Sequence, residues 1–266
     1  MALLNCNFSK NEIHIWQIDL DNSIFKTDDL IQVLSGDEIE RAKRYHFLTD
    51  KKRFIVRRGL LRLILGSYLS TVPNDLNFYY KNNGKPAVYN ELNKEIIKFN
   101  LSFSKGLALL GFTNNVEIGL DIEQMRNISE KDNIVLQLFS DKEKEIFSSS
   151  PQNQREEVFF TIWSRKEALI KATGKGLYSD LTNIDVSLTS DETVKMYDKS
   201  DYIEYISKWI VCDLEVESGF KAALAYPYSD CKIIHHQWDK HFKIVAGNNL
   251  NQACFNDSYN SQRLIY

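Results

Sequence analysis

Val116-Glu117-Ile118-Gly119-Leu120-Asp121-Ile122-Glu123 alternates strictly between apolar and non-apolar positions over eight residues, and this constrains the fold more than any other feature of the chain. Successive side chains of a strand point to opposite faces, so this period of two predicts a strand with one buried face. Ile118, Leu120 and Ile122 then fill a core, while Gly119, Asp121 and Glu123 share the other side. Two like charges about 4 Å apart repel by roughly 4 kcal/mol at an effective dielectric of about 20, which a divalent cation between them relieves. An all-oxygen site suits Mg²⁺. Gly119, having no side chain, would leave room for a ligand to approach the backbone. A solvated strand face with two ordinary surface acids is the plainer reading of the same pair.

A chain of 266 residues, 43% apolar and 12% aromatic, can bury the core of one large domain or two small ones. A net charge of −3 gives no general reason to expect nucleic acid or an acidic membrane as partner. The first ten residues lack a basic region followed by an apolar run, and nowhere do about 18 apolar residues follow one another as a membrane helix needs. The expected location is cytoplasmic. Cys6, Cys212, Cys231 and Cys254 are dispersed without C-x-x-C spacing, which favours idle thiols over disulfides or zinc.

Along the chain, Ile13 to Ile18 predicts a strand and Ser35-Gly36-Asp37-Glu38 has capping-box spacing. A helix follows over about Lys51 to Leu69, with Phe54, Leu61, Ile64 and Leu65 as its apolar face. Asn82-Asn83-Gly84 marks a turn before Lys85-Pro86. Strands are expected over Phe99 to Phe103 and Leu107 to Phe112, with an interdomain joint at Thr113-Asn114-Asn115. Helices are expected near Ser129 to Phe139, from Ser140, and over Glu156 to Thr173 with Gly174 as its stop. Strands are placed near Ile184 to Leu188, Trp209 to Val216 and Lys221 to Ala225. The division is 1–114, 115–230, and a polar tail over 231–266 expected to be irregular.

On the 156–173 helix, Trp163, Glu167 and Lys171 recur at i, i+4 and i+8 and lie on one stripe. By itself this is an exposed Glu–Lys pair worth about 0.3–0.5 kcal/mol, with a tryptophan in the core. The combination is more specific. Ile118-Gly119-Leu120-Asp121-Ile122-Glu123, followed some forty residues later by Trp163-Ser164-Arg165-Lys166-Glu167-Ala168-Leu169-Ile170-Lys171, resembles the paired signature of the 4′-phosphopantetheinyl transferase superfamily. Gly84-Lys85-Pro86, Phe99-Asn100-Leu101-Ser102, Phe139-Ser140 with Glu143, and Gly174-Lys175-Gly176-Leu177 extend the resemblance over most of residues 12 to 230.

The resemblance implies an α+β fold of two similar halves related by a pseudo-twofold axis. It also implies a monomer that moves phosphopantetheine from coenzyme A to a serine of an apo carrier protein, with Mg²⁺, releasing adenosine 3′,5′-bisphosphate. Asp121, Glu123 and Glu167 would hold the metal, and Lys171 would offset phosphate charge. Glu143 or Glu167 would take the serine proton, although Ser140-x-x-Glu143 is equally a capping box. Between Arg41 and Arg62 nine basic residues face one acid, Asp50. Of these, Arg41, Arg53 and Arg58 are the candidates for the 3′-phosphate, the rest being read as a solvated face. Lys85, Pro86 and Ser102 would border the nucleotide. Phe103 departs from the family's histidine and cannot donate a hydrogen bond; an arginine compensates, or coenzyme A binding is weaker. A coenzyme A-binding protein of the same fold without useful transfer is the alternative, and a nucleic-acid module on the basic segment is a remote one. Phe103→His is expected to bind coenzyme A at least as tightly as the natural chain in calorimetry; a large weakening would contradict placing residue 103 at the nucleotide.

Overall fold

In the computed structural model, the described residues are 11–81, 84–89, 97–174, 181–186, 195–196, 209–227, 231–238, 243–244 and 253–254. Asn82-Asn83, Lys175-Gly176-Leu177, Ser187-Leu188 and most of the final segment lie outside them. The first half runs β1 (Glu12–Asp19), α1 (Thr27–Leu30), α2 (Gly36–Lys43), α3 (Leu48–Leu69), β2 (Asn77–Tyr80), β3 (Pro86–Tyr89), β4 (Ile97–Ser104) and β5 (Leu107–Asn114). The second runs β6 (Gly119–Gln124), α4 (Lys131–Leu138), α5 (Asp141–Ser149), α6 (Arg155–Thr173), β7 (Ile184–Asp185), β8 (Lys195–Met196), β9 (Trp209–Asp213) and β10 (Phe220–Pro227). Beyond these come β11 (Lys232–Gln237), β12 (Lys243–Ile244) and β13 (Ala253–Cys254).

Alternation along the strands sorts the core into layers. On β1 and β5, Trp16, Ile18, Ala108, Leu110 and Phe112 face α3, whose Phe54, Leu61, Ile64 and Leu65 are all buried there. Ile13, Ile15, Leu107 and Leu109 point the other way and meet Ile118, Leu120, Ile122 and Leu224 of the second sheet. That sheet's remaining face carries Val211, Ala223 and Ala225 against Phe160, Ala168 and Leu169 of α6. The order is therefore helix, sheet, sheet, helix, and each half is a long helix over a sheet, an α+β architecture. At Thr113-Asn114-Asn115, β5 ends at Asn114, Asn115 takes a left-handed φ of 61°, and β6 begins four residues later. Gly174, at φ 67°, ends α6 and donates its N–H to Ile170 O at 2.9 Å.

The expectation of an irregular segment after 230 is corrected. β11 joins the first sheet, which is ordered β11-β1-β5-β4, and runs parallel to β1 with Glu12 to Gln17 opposite Lys232 to Gln237. Lysine, two histidines and a glutamine in a six-residue run leave no clean alternation to read, so pairing and packing make this strand, not its pattern. The His236 ring stacks on Trp16 at 4.5 Å and 14°, and its Nε2 lies 3.2 Å from Nδ1 of His14, which also meets the Tyr68 hydroxyl at 2.8 Å. Trp238 packs on Trp16 and Phe25. Chain from beyond the second half thus completes the sheet of the first.

Burial, with the neighbouring His14, pushes the His236 pKa down to about 4. The unfolded histidine takes up a proton near pH 6.5, the folded one only near 4, so stability is lost as pH falls through this window, by at most about 3 kcal/mol. His236→Phe, which keeps the stack on Trp16, is expected to flatten the fall of the urea midpoint between pH 6.5 and 4.5; an unchanged slope would show that the histidine carries none of it.

Candidate active site

Gly119 does not leave room for a ligand. A Cβ built there would stand 2.0 Å from Ala168 O and 2.4 Å from Ala172 N, so the space is filled by α6 crossing the strand. That close approach brings the Glu167 and Lys171 stripe over the carboxylate face of β6. The Lys171 Nζ donates to Asp121 Oδ1 at 2.6 Å and to Ser102 Oγ at 3.0 Å. Asp121 is 3% exposed, and its second oxygen, Oδ2, is buried with no hydrogen-bond partner among the described residues. A buried carboxylate oxygen without a donor is unfavourable by about 1–3 kcal/mol or more.

On the other side of Asp121 lies β4. Both β4 and β6 are edges of their sheets, and they meet through side chains. Asn100, Ser102 and Ser104 alternate along β4 and accept the N–H groups of Leu120, Ile122 and Gln124 at 2.8, 3.2 and 3.0 Å. The two serine hydroxyls donate onward, Ser102 to Asp121 Oδ1 at 3.1 Å and Ser104 to Glu123 Oε2 at 3.2 Å. Lys85 continues the seam by donating to Ile118 O at 2.9 Å and to Glu117 at 2.6 Å.

Electrostatically the acids form one group. Burial raises the pKa of Asp121, against the pull of Lys171. Burial and then the Asp121 charge raise those of Glu123 and Glu167. Among the described residues no three such side chains are drawn together closely enough to hold a metal ion as they stand.

The basic segment divides differently from its sequence reading. Arg62, taken as part of a solvated face, is buried and bonded to Glu38, Pro73 O and Leu76 O. Arg58 also pairs with Glu38 and lies over the Phe78 ring at 4.0 Å. Arg53 holds Asp21 through two nitrogens, at 2.9 and 2.5 Å. Arg41 and Arg57 lie over the Phe54 ring, at 5.5 and 6.0 Å. Arg57, not singled out from sequence, has its guanidinium 3.4 Å from the centre of the Phe103 ring, which is 48% exposed. Burial pushes the Arg57 pKa down to about 10, and Arg41 and Arg58 add to the fall. Pro86 lies with Lys85 along a small cavity that Lys81, Lys98 and Glu117 also line.

A family described as the 4′-phosphopantetheinyl transferase superfamily matches residues 117–225, and one described as 4′-phosphopantetheinyl transferase, N-terminal, matches residues 23–111. The 4′-phosphopantetheinyl transferase HetI of Nostoc sp. is 34% identical over 221 residues, covering 83% of this chain and 90% of its own. The chain belongs to the 4′-phosphopantetheinyl transferase superfamily. The transferase Sfp of Bacillus subtilis is 25% identical over 218 residues, covering 81% and 93%. A solved holo-[acyl-carrier-protein] synthase from Thermotoga maritima aligns over 42% of this chain and 62% of its own, at 19% identity and a TM-score of 0.33.

Two side chains of the matched region are held within the protein's own packing. Trp163 packs against the second half's core, stacked on Phe159 at 6.0 Å. Glu143 has 0% exposure: its Oε2 accepts from Ser140 N at 2.8 Å and pairs with Lys166 at 2.9 Å, and its Oε1 accepts from Val186 N at 2.8 Å. Of the two roles the sequence left open for Glu143, the geometry is that of the cap, and no face of the carboxylate is open to a substrate hydroxyl. Burial pushes the Glu143 carboxyl up and the Lys166 ammonium down, and their contact opposes both. Removing one member of such a pair strands the other. Glu143→Ala is expected to lower unfolding free energy by about 3–5 kcal/mol in urea titrations; a loss below about 1 kcal/mol would contradict the structural assignment.

Proposed function

We propose that the chain transfers the phosphopantetheine of coenzyme A to a serine of an apo carrier protein, with chemistry at the Asp121, Glu123, Glu167 and Lys171 cluster. The observation that supports this most is the buried, partnerless Oδ2 of Asp121 beside two further acids of raised pKa and one ammonium. Donor chemistry fits Mg²⁺: three carboxylates supply oxygen only, and a cation satisfies the orphaned oxygen while relieving mutual repulsion. Gathering Glu123 and Glu167 around Asp121 is left to their side-chain torsions. When bound, the cation polarises the pyrophosphate oxygens and offsets the charge that grows on them.

The chain's own residues do the rest. Lys171, one turn from Glu167, exchanges its contact with Asp121 for a phosphate oxygen when coenzyme A binds, and offsets the charge that then develops there. The carrier serine attacks the β-phosphate, the bond to the second phosphate breaks, and adenosine 3′,5′-bisphosphate leaves. Glu167 is the carboxylate left to take the serine proton, since Glu143 is sealed in its cap. At the nucleotide end, Arg57 and Arg41 receive the 3′-phosphate, with Arg58 adding charge nearby. Phe103 then acts through its ring, holding Arg57 by a cation–π contact where the family's histidine would donate directly. Arg53, engaged with Asp21, is left out of this set. Lys85 and Pro86 border the nucleotide, the chain acts as a cytoplasmic monomer, and the carrier docks on the second half.

The test is incubation with coenzyme A, Mg²⁺ and several apo carrier proteins, followed by intact mass. One carrier is expected to gain one phosphopantetheine, and Asp121→Ala to slow the gain by about a hundredfold or more with an unchanged circular dichroism spectrum. No gain on any carrier would contradict the assignment.

A further inference from the structure

The seam between β4 and β6 does more than close two sheet edges. Each hydroxyl along it is tied at both ends. Ser104 Oγ accepts the Gln124 N–H at 3.0 Å and so has its single proton left for Glu123 Oε2 at 3.2 Å. Ser102 Oγ likewise accepts from Ile122 N and Lys171 Nζ and spends its proton on Asp121 Oδ1. Asn100, the third rung, accepts the Leu120 N–H at 2.8 Å and has no acid opposite it on the strand. The backbone bonds fix where the hydroxyls point, and the hydroxyls fix one oxygen of each acid. A carboxylate with one oxygen held by a fixed donor presents the other in a defined direction.

We propose that Ser104, which belongs to the first half of the chain, is a positioning residue for Glu123, and that β4 thereby sets the cation affinity of the acid group borne by the second half. This rests on the reading of Asp121, Glu123 and Glu167 as the cation site. β4 also carries Phe103 between the two serines, facing the opposite way against Arg57. One strand therefore holds the nucleotide-end cation on one face and the acids on the other.

The test is Mn²⁺ binding in the presence of coenzyme A, read from the electron paramagnetic resonance signal of the free ion, so that no turnover is needed. Ser104→Ala is expected to weaken Mn²⁺ about tenfold. Ser104→Thr, which keeps the hydroxyl, restores most of that loss. Asn100→Ala, which breaks a rung with no acid attached, is expected to lower the thermal midpoint while leaving Mn²⁺ affinity unchanged. Equal weakening by Ser104→Ala and Asn100→Ala, or no rescue by threonine, would reduce Ser104 to a seam contact and overturn the proposal. Tight Mn²⁺ binding by the natural chain that Ser104→Ala leaves intact would overturn it too, with the cation site standing. No Mn²⁺ binding by the natural chain would overturn the cation site and this proposal with it.

Discussion

Two sheet edges meet without sharing a backbone ladder, and the site depends on how they do so. An edge strand carries a row of unpaired N–H and C=O groups, and β6 directs those of Leu120, Ile122 and Gln124 at β4. Their partners are side chains: an amide and two hydroxyls, spaced by the period of two. Each such bond contributes about 0.5–1.5 kcal/mol net, but leaving a buried N–H unmet costs more. Side-chain rungs also do what a backbone ladder does not, because a hydroxyl that accepts still has a proton to give. Asp121 and Glu123 are where those protons go.

From that seam the rest of the site follows by packing. Ile118, Leu120 and Ile122 turn into the core between the sheets, which fixes Asp121 and Glu123 on the opposite face. Gly119 removes the one side chain that would hold α6 away, and Ala168 and Ala172 let the helix descend onto the strand. Glu167 and Lys171 then arrive over Asp121 because helical spacing puts them beside those alanines. Strong burial of so many acids raises their pKa values and leaves an oxygen without a donor, a cost in stability that is intelligible if a cation and an anionic substrate complete the arrangement.

The sequence was most legible where a period was clean. Alternation at 116–123, the capping box at Ser140 and the stop at Gly174 each place an element within a few residues, because each depends on local chemistry alone. The acids and Lys171 emerged from two motifs that gain meaning together. Four things were not legible, each for a reason of distance. β11 lacks alternation and exists because β1 and the Trp16–His236 stack receive it, more than two hundred residues away. Arg57 looks like its basic neighbours until Phe103 is seen against it, and Arg62 looks solvated until Glu38 closes on it. Gly119 was read as space for a ligand since only the fold reveals a helix there. Asn100, Ser102 and Ser104 did leave a signal, small polar residues at every second strand position, but its meaning required knowing that two edges meet.

In the proposed function, Asp121 exchanges Lys171 for a cation when coenzyme A binds. Anomalous diffraction from crystals grown with coenzyme A and Mn²⁺ tests it directly. A manganese peak is expected against the Asp121 carboxylate, with Lys171 moved from Asp121 to a pyrophosphate oxygen. Coenzyme A bound with no peak there, and Lys171 still on Asp121, would contradict it.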